Sequence, residues 1–281
     1  MQTSIRPLLS PVFAATMLLG CDTPTEQLPR EQAEIVSNLL EAGYREHDIT
    51  IDDNGGVILQ GDVQMPLGAS RDLTGNSFRQ YAFGSEHRIS GVTDVCIVIA
   101  PCAMSALNVE AITTPMKVAM QEWQNLTDDL GRKITFHWGQ NSSCGENIVN
   151  VYSAPSIAQG ALGFPPENGR IGDTMKINKP LITSVGGWKR ARAFMHEIGH
   201  LLGLRHTDWY SQASCGKDEE EGTLWGSERI PGTPDRTQTW DSASLMNRCP
   251  ITGPYAPADG EAMLQFSTDD QTAIEWILDN N

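Results

Sequence analysis

Apolar positions change their period several times along the chain, and each change marks an element. Residues 31–42 (EQAEIVSNLLEA) carry Ile35, Leu39, Leu40 and Ala42 at helical spacing and stop at Gly43, which predicts a helix. Residues 49–63 hold two short strand-like runs, DITIDD and GVILQGDV, parted by Asn54-Gly55-Gly56. Asn-Gly between such runs predicts a hairpin, because both residues accept the left-handed conformation of a tight turn. Residues 95–100 (VCIVIA) are almost wholly apolar, as a buried strand requires. Residues 113–130 read as a helix with Met116, Ala119, Met120, Trp123 and Leu126 on one face and Gly131 at its end. Residues 134–138 and 148–152 are strand candidates. Residues 160–180 are rich in Gly and Pro, with edge strands expected near 161–164 and at 174–177. A helix is expected over 187–202, then a long polar stretch to about 239, then a last helix over 269–278. There is no internal repeat. Strand, helix, strands, helix, irregular region and helix, in that order, fit an α+β enzyme.

Composition narrows the partners. The chain has 281 residues and is 40% hydrophobic, enough to build a sizeable core. Net charge is −15. Residues 1–20 contain one charge, Arg6, so the remainder carries −16, which argues against nucleic acid, whose phosphates need clustered Lys and Arg. The acid run at 218–221 lacks the spacing of an EF-hand loop and reads as a solvated loop.

The first twenty residues read as an export signal: Arg6, then the apolar run PLLSPVFAATMLLG, too short for a secure membrane span. Leu18-Leu19-Gly20-Cys21 resembles a bacterial lipobox, in which Cys21 becomes the lipidated N-terminus, and Asp22 resembles an inner-membrane retention signal. An ordinary secretory signal cleaved near Gly20 is the other reading. Membrane contact is expected only through such a lipid. Export permits disulfides among Cys21, Cys96, Cys102, Cys144, Cys215 and Cys249. Cys215 and Cys249 flank one C-terminal loop region and are expected to pair. If Cys21 carries lipid, a second bridge joins two of Cys96, Cys102 and Cys144 and leaves one free thiol. No CxxC spacing occurs, which speaks against a cysteine zinc site.

The chemistry concentrates in residues 196–206, HEIGHLLGLRH. On a helix, His196 and His200 share one face, and two neutral imidazoles suit Zn²⁺. A continued helix would carry His206 too far along the axis to join them. Gly203 tolerates a left-handed turn, so it can end the helix and fold His206 back as the third ligand. Glu197, beside the first ligand, is placed to take a proton from an activated water. Phe194, Met195, Ile198, Leu201, Leu202 and Leu204 make the segment apolar enough to be buried.

HEIGHLLGLRH resembles the metzincin pattern HExxHxxGxxH. Ser244-Leu245-Met246-Asn247, forty residues after His206, resembles the metzincin Met-turn. With Thr207-Asp208, the EIVSNLLEAGY helix and the GDV segment, the chain is most similar to the bacterial dual-action HEIGH metallopeptidases. The resemblance implies a zincin with a twisted mixed sheet, an active-site helix and a mostly irregular C-terminal subdomain closed by a helix. It implies one catalytic Zn²⁺ on His196, His200 and His206, Glu197 as general base, and Met246 as a structural floor rather than a ligand. Some metzincins carry a Tyr two residues after the turn Met, where this chain has Arg248, so Arg248, Tyr255 and Tyr210 are the candidates for assisting there. Metzincins bind substrate as an extended strand along a sheet edge, for which residues 160–164 are the candidate here.

The expectation is an exported zinc endopeptidase acting on proteins or peptides: a signal at 1–20, a tether and small N-terminal unit at 21–90, and the catalytic domain at 91–281. The N-terminal unit reads equally as a packing module or as a propeptide that blocks the site until removed. The competing function is a non-catalytic, zinc-stabilised surface lipoprotein that binds a partner. Glu197 speaks against it, since a binding module needs no base there.

Overall fold

The computed structural model describes residues 28–74, 81–82, 88–208, 211–217, 228–234, 240–254, 256–258 and 260–280. The signal segment, Cys21, Tyr210, Tyr255 and the acid run at 218–221 lie outside the described residues.

The elements follow in chain order: α1 (Leu28–Glu41), β1 (Ile49–Ile51), β2 (Val57–Leu59), β3 (Val63–Gln64), α2 (Leu67–Thr74) and β4 (Tyr81–Ala82). Then come β5 (Asp94–Ile99), α3 (Met104–Leu107), α4 (Glu110–Asp129), β6 (Thr135–Trp138), β7 (Ile148–Ser153), β8 (Ala161–Gly163) and β9 (Thr174–Ile177). Last are α5 (Lys179–Thr183), α6 (Gly187–Leu202), β10 (Glu228–Arg229) and α7 (Thr268–Asp279). The helices and strands expected from periodicity are all present. The helix expected over 113–130 starts three residues earlier, at Glu110.

Eight strands make one mixed sheet in the order β1-β2-β3-β8-β9-β7-β5-β6, and β4 pairs with β10 apart from it. β6, β5, β7 and β9 run parallel, and β8 runs antiparallel to β9. Val95, Cys96, Ile97, Val149, Val151, Met175 and Ile177 are buried, as strands of a parallel block require. α4 lays Ile112, Met116, Ala119, Met120, Trp123 and Leu126 into the core, where Phe194, Met195, Ile198 and Leu202 of α6 meet them. Trp123 locks the two helices: it is fully buried and its Nε1 donates to Met195 O at 2.8 Å. An indole N–H buried without that acceptor would cost about 1–3 kcal/mol.

The strand expectations at 161–164 and 174–177 need correcting in one respect. Both strands form, but neither is an edge. β9 lies between β8 and β7, and β8 is covered on its outer side by β3, which runs parallel to it. Gly163 N donates to Asp62 O at 3.2 Å across that pairing. A short apolar run with glycines shows that a strand can form, not which strand lies beside it.

The N-terminal residues keep a core of their own, with Ile35, Leu39, Ala42 and Tyr44 packed on Val57, Leu59, Val63, Met65 and Ala69. β1, β2 and β3 nevertheless extend the main sheet. At the other end, residues 240–267 carry little regular structure, so their backbone carbonyls need donors from elsewhere. Arg192 of α6 supplies them. It is 1% exposed, and its guanidinium donates to the carbonyls of Pro250, Met263, Gln265, Ala243 and Ser244 at 3.0–3.4 Å. Ser267 and Asp270 close a capping box that starts α7.

The Cys215–Cys249 bridge forms as expected, and Cys96 pairs with Cys144. Cys102 is disulfide-bonded as well, which corrects the expected free thiol: among the described residues no cysteine is free.

Candidate metal and catalytic centre

α6 is buried without a break from Ala191 to Leu202, because its apolar residues face the sheet on one side and α4 on the other. Of the polar exceptions at its C-terminal end, His196, Glu197 and His200, the two histidines stand one turn apart. Gly203 then takes φ +106°, a left-handed position that a residue with a Cβ adopts only under strain. Its N–H returns to His200 O at 3.0 Å and Leu204 N–H to Gly199 O at 2.9 Å, which reverses the chain. The turn brings His206 back beside the helix, and it presents Leu204 O to His200 Nδ1 at 2.9 Å.

The other two rings are held in the same way. His196 Nδ1 lies 2.9 Å from Leu245 O, and His206 Nδ1 lies 3.1 Å from Gln60 Oε1. Neutral imidazole has one N–H, and an oxygen facing Nδ1 draws it there. All three Nε2 lone pairs then point inward. His196 Nε2 sits 3.0 Å from that of His200 and 3.2 Å from that of His206. Unprotonated nitrogens so close repel one another unless a cation lies among them.

A fourth group joins them. An Asp62 carboxylate oxygen lies 3.1 Å from His206 Nε2 and another contact places Asp62 3.5 Å from His196 Nε2. Asp62 and the three histidines are all buried, and one ligand atom from each lies within 4.8 Å of the rest. Glu197 Oε2 is a buried acceptor with no hydrogen-bond partner, and Asp62 Oδ1 has only the contact with His206 Nε2 at 3.1 Å. Acceptors so poorly partnered beside converging imidazoles fit a divalent cation, and nitrogen donors of this number suit zinc.

The electrostatics agree with a ligand set. Burial pushes the His200 imidazole well down, helped by His196 and His206, and burial pushes His206 down too, so both favour the neutral, metal-binding form. Burial would raise Asp62, but positive charge on the facing His206 and His196 outweighs it, so the carboxylate form goes with a positive charge within this cluster. Burial, then the charge on Asp62, raises Glu197 well above the ordinary carboxyl value, partly offset by a hydrogen bond from the Gly163 backbone. Glu197 thus holds a proton more tightly than an ordinary carboxyl does.

Met246 packs against α6 at Gly199. A Cβ on Gly199 would stand 2.4 Å from Met246 Sδ, so the helix and the turn approach as closely as only glycine permits. Thr207 N donates to Met246 O at 2.9 Å, Thr207 Oγ1 to Asn247 Oδ1 at 2.7 Å, and Asp208 accepts from Arg248 N and Ser214 N at 2.8 Å. Thr207-Asp208 therefore stitches the third histidine to the turn. Asp270 accepts from Ser244 Oγ at 2.6 Å and from Leu245 N at 2.7 Å. The Arg248 side chain turns to Asp48 of the N-terminal residues, 2.9 Å away.

Sequence reasoning brought His196, His200, His206, Glu197 and Met246 to one place, and the structure brings them together. It missed Asp62, Gln60 and Arg192. The only signal for Asp62 was the GDV segment, which carried a family likeness without a role, and Gln60, just before it, carried none.

This constellation on a mixed α+β scaffold is that of a metallopeptidase. Residues 57–277 match the family model described as dual-action HEIGH metallo-peptidase, and the chain belongs to that family. The match begins at Val57 and so includes Asp62. Among curated proteins, it is similar to an extracellular metalloprotease of Arthroderma gypseum, 30% identical over 105 residues that cover 34% of each chain. It is similar also to an extracellular metalloprotease of Arthroderma otae, 32% identical over 124 residues covering 40% of this chain and 41% of the relative. The chain thus spans well under half the length of these relatives. Among solved structures, the crystal structure of myroilysin aligns with 72% of this chain and 99% of its own at 13% identity, but its TM-score of 0.32 is too low to carry an argument.

Proposed function

We propose that the chain is an exported zinc endopeptidase in which His196, His200 and His206 hold one Zn²⁺ and Glu197 is the general base. The observation that carries this is the convergence of three Nε2 atoms, each ring fixed through Nδ1, beside a buried glutamate with an unpartnered oxygen. When bound, zinc supplies Lewis acidity, polarising a peptide carbonyl and lowering the pKa of water. The chain's own groups do the rest. Glu197 takes the proton of the attacking water at its carboxylate and delivers it to the leaving amine nitrogen. Met246 is a floor that fixes α6 and supplies no ligand. Residues 91–281 are the catalytic domain.

The test is cleavage of casein by purified protein, with metal content measured in parallel. Chelation should abolish cleavage. Glu197→Ala should lower turnover by at least about 10²–10⁴-fold, the range for losing a general base, with stoichiometric zinc retained. Unchanged turnover in that variant sinks the mechanism. Export is part of the same reading; lipid on Cys21 requires a thioether there, which a disulfide at the same sulfur would preclude. Intact mass of envelope-derived protein distinguishes lipidated Cys21 from Cys21 in a disulfide.

A further inference from the structure

We propose that the end of the fold away from the histidine cluster is a seat for an anionic phospholipid surface, gripped by Met104, Leu181 and Trp188 together with Lys179, Lys189 and Arg190. The proposal stands apart from the peptidase reading, because binding is read without turnover. It gives the chain a second route to a membrane beside the lipid expected on Cys21.

The topology defines this end. β5, β6, β7 and β9 run parallel, so the segments that leave their last residues emerge together: 100–109, 139–145, 154–160 and 178–190. α6 starts within the last of these segments and runs back along β8 to the histidines, where Gly163, the last residue of β8, meets Glu197 and His200. At a rise of 1.5 Å per residue, His200 lies about 18 Å from Trp188 along the helix axis.

Charge is the first observation. The chain carries 35 acidic residues and a net charge of −15, yet none of those four segments contains an Asp or a Glu. The last carries Lys179, Lys189 and Arg190. Elsewhere Arg71, Arg132, Arg170, Lys176 and Arg248 each pair with a carboxylate. Lys179, Lys189 and Arg190 have no such partner among the described residues. Glu110 opens α4 and Glu261 lies on the 3-10 turn packed against α6. With Lys117, which sits over the Trp138 ring at the end of β6, the end stays net positive. Acids on the rest of the surface do not cancel it, because exposed charges more than about 8 Å away are largely screened at physiological salt.

Apolar exposure is the second. Met104, Leu181 and Trp188 are 44%, 43% and 40% exposed, large apolar side chains that the core leaves out. Met104 stands on the segment after β5, and Leu181 and Trp188 on the segment after β9. Arg190 Nη1 donates to Thr183 O at 3.4 Å, which ties the start of α6 to the end of α5 and sets Leu181 and Trp188 at one corner. A protein partner needs about 800 Å² of matched surface. Separate apolar tips with bases between them suit a bilayer interface better, since it accepts each side chain on its own. An indole seats at headgroup level, and Lys and Arg meet the phosphates.

The experiment sediments the full chain with vesicles of phosphatidylcholine, alone or with about 30% phosphatidylglycerol. A lipid on Cys21, or the apolar run at 7–20, partitions into both, so the readout is the ratio of the two affinities. A base near an anionic surface is worth about fivefold, so three should favour the anionic vesicle by roughly 100-fold, less as salt rises. Lys179→Gln with Lys189→Gln should cut that ratio by about 25-fold. Leu181→Ala with Trp188→Ala should weaken anionic binding at least ~10-fold. Both double variants should melt within about 2 °C of the parent chain, which separates lost binding from lost folding. Brominated acyl chains should quench tryptophan fluorescence, and Trp188→Phe should remove the quenched part. A parent ratio near one, or a ratio that the lysine variant leaves unchanged, overturns the proposal. Polyglutamate bound as tightly as the anionic vesicle assigns the bases to an acidic polymer and overturns it too. So does dimerisation that Trp188→Ala abolishes, which assigns the tips to a second copy of the chain.

Discussion

Asp270 offers a test of how the metal cluster depends on the irregular C-terminal segment. Its carboxylate accepts from Ser244 Oγ, Leu245 N and Ser267 N at 2.6–3.1 Å, and Leu245 O in turn faces His196 Nδ1. Asp270→Ala strands three donors inside the protein. Removing one side of a buried, charge-assisted set costs about 3–5 kcal/mol. Asp270→Asn is a different perturbation. The amide oxygen can take the place of Oδ2 toward Leu245 N and Ser267 N. The amide nitrogen can then donate to Ser244 Oγ, which already accepts from Met246 N. Burial pushes the Asp270 carboxyl up, so ionisation at this site is already penalised. Replacing the charge by a neutral group of the same shape should therefore cost within about 1 kcal/mol.

The assay is thermal unfolding of the metal-free protein together with zinc affinity. For a chain of this size about 1 kcal/mol corresponds to 2–4 °C, so Asp270→Ala should melt about 10 °C lower and Asp270→Asn within a few degrees of wild type. Zinc affinity should fall in the Ala variant, because the Leu245 peptide that orients His196 loses its anchor. The pH dependence has a definite sign. A carboxyl raised in the native state binds its proton more tightly there than in the unfolded chain. Its contribution to stability is present at low pH and is lost as pH rises from the ordinary carboxyl value through the native one. Any stability deficit of Asp270→Asn should therefore shrink as pH rises through that window. A deficit that widens, or an Ala variant that matches wild type in melting and zinc affinity, refutes the reasoning.

Other perturbations are more local. Gly199→Ala gains about 1 kcal/mol in helix propensity but drives a Cβ into Met246 Sδ, an overpacking cost of about 1–3 kcal/mol, so it should be destabilising on balance. Calorimetry should show that cost vanishing in a Met246→Ala background; an equal cost in both backgrounds means the helix and turn are not in contact. Replacing Cys215 and Cys249 by Ser opens a bridge of sequence separation 34 and should lower stability by about 4 kcal/mol on the loop-entropy model, read by denaturant unfolding. Trp123→Phe keeps most of the apolar contact but removes the buried hydrogen bond to Met195 O, and should cost about 0.5–1.5 kcal/mol in the same assay.

Most of the centre was legible because its information is local. His196 and His200 lie one turn apart, Gly203 announces the reversal, and Met246 sits in a short recognisable turn. Asp62 and Gln60 were not legible, because they reach His206 across 144 and 146 residues, and an Asp after Gly61 reads as a turn residue. The edge assigned to 160–164 failed for a related reason: being an edge is a relation between strands, and the covering strand lies about a hundred residues upstream.

Arg192 shows the same limit from the side of energetics. An arginine in the first half of α6 reads as a solvent-facing residue. Its burial is intelligible only once residues 240–267 are seen to lack a regular hydrogen-bonding pattern of their own. Arg192 precedes His196 by one helical turn, and the two grip consecutive carbonyls, Ser244 O and Leu245 O. One face of α6 therefore anchors the C-terminal segment and orients the first imidazole through the same turn. The HEIGH residues specify which imidazoles converge, but the orientation of the His196 ring depends on a turn that both Arg192 and Asp270 bind. Disorder in that turn and loss of metal affinity should accordingly appear together, and neither follows from the motif alone.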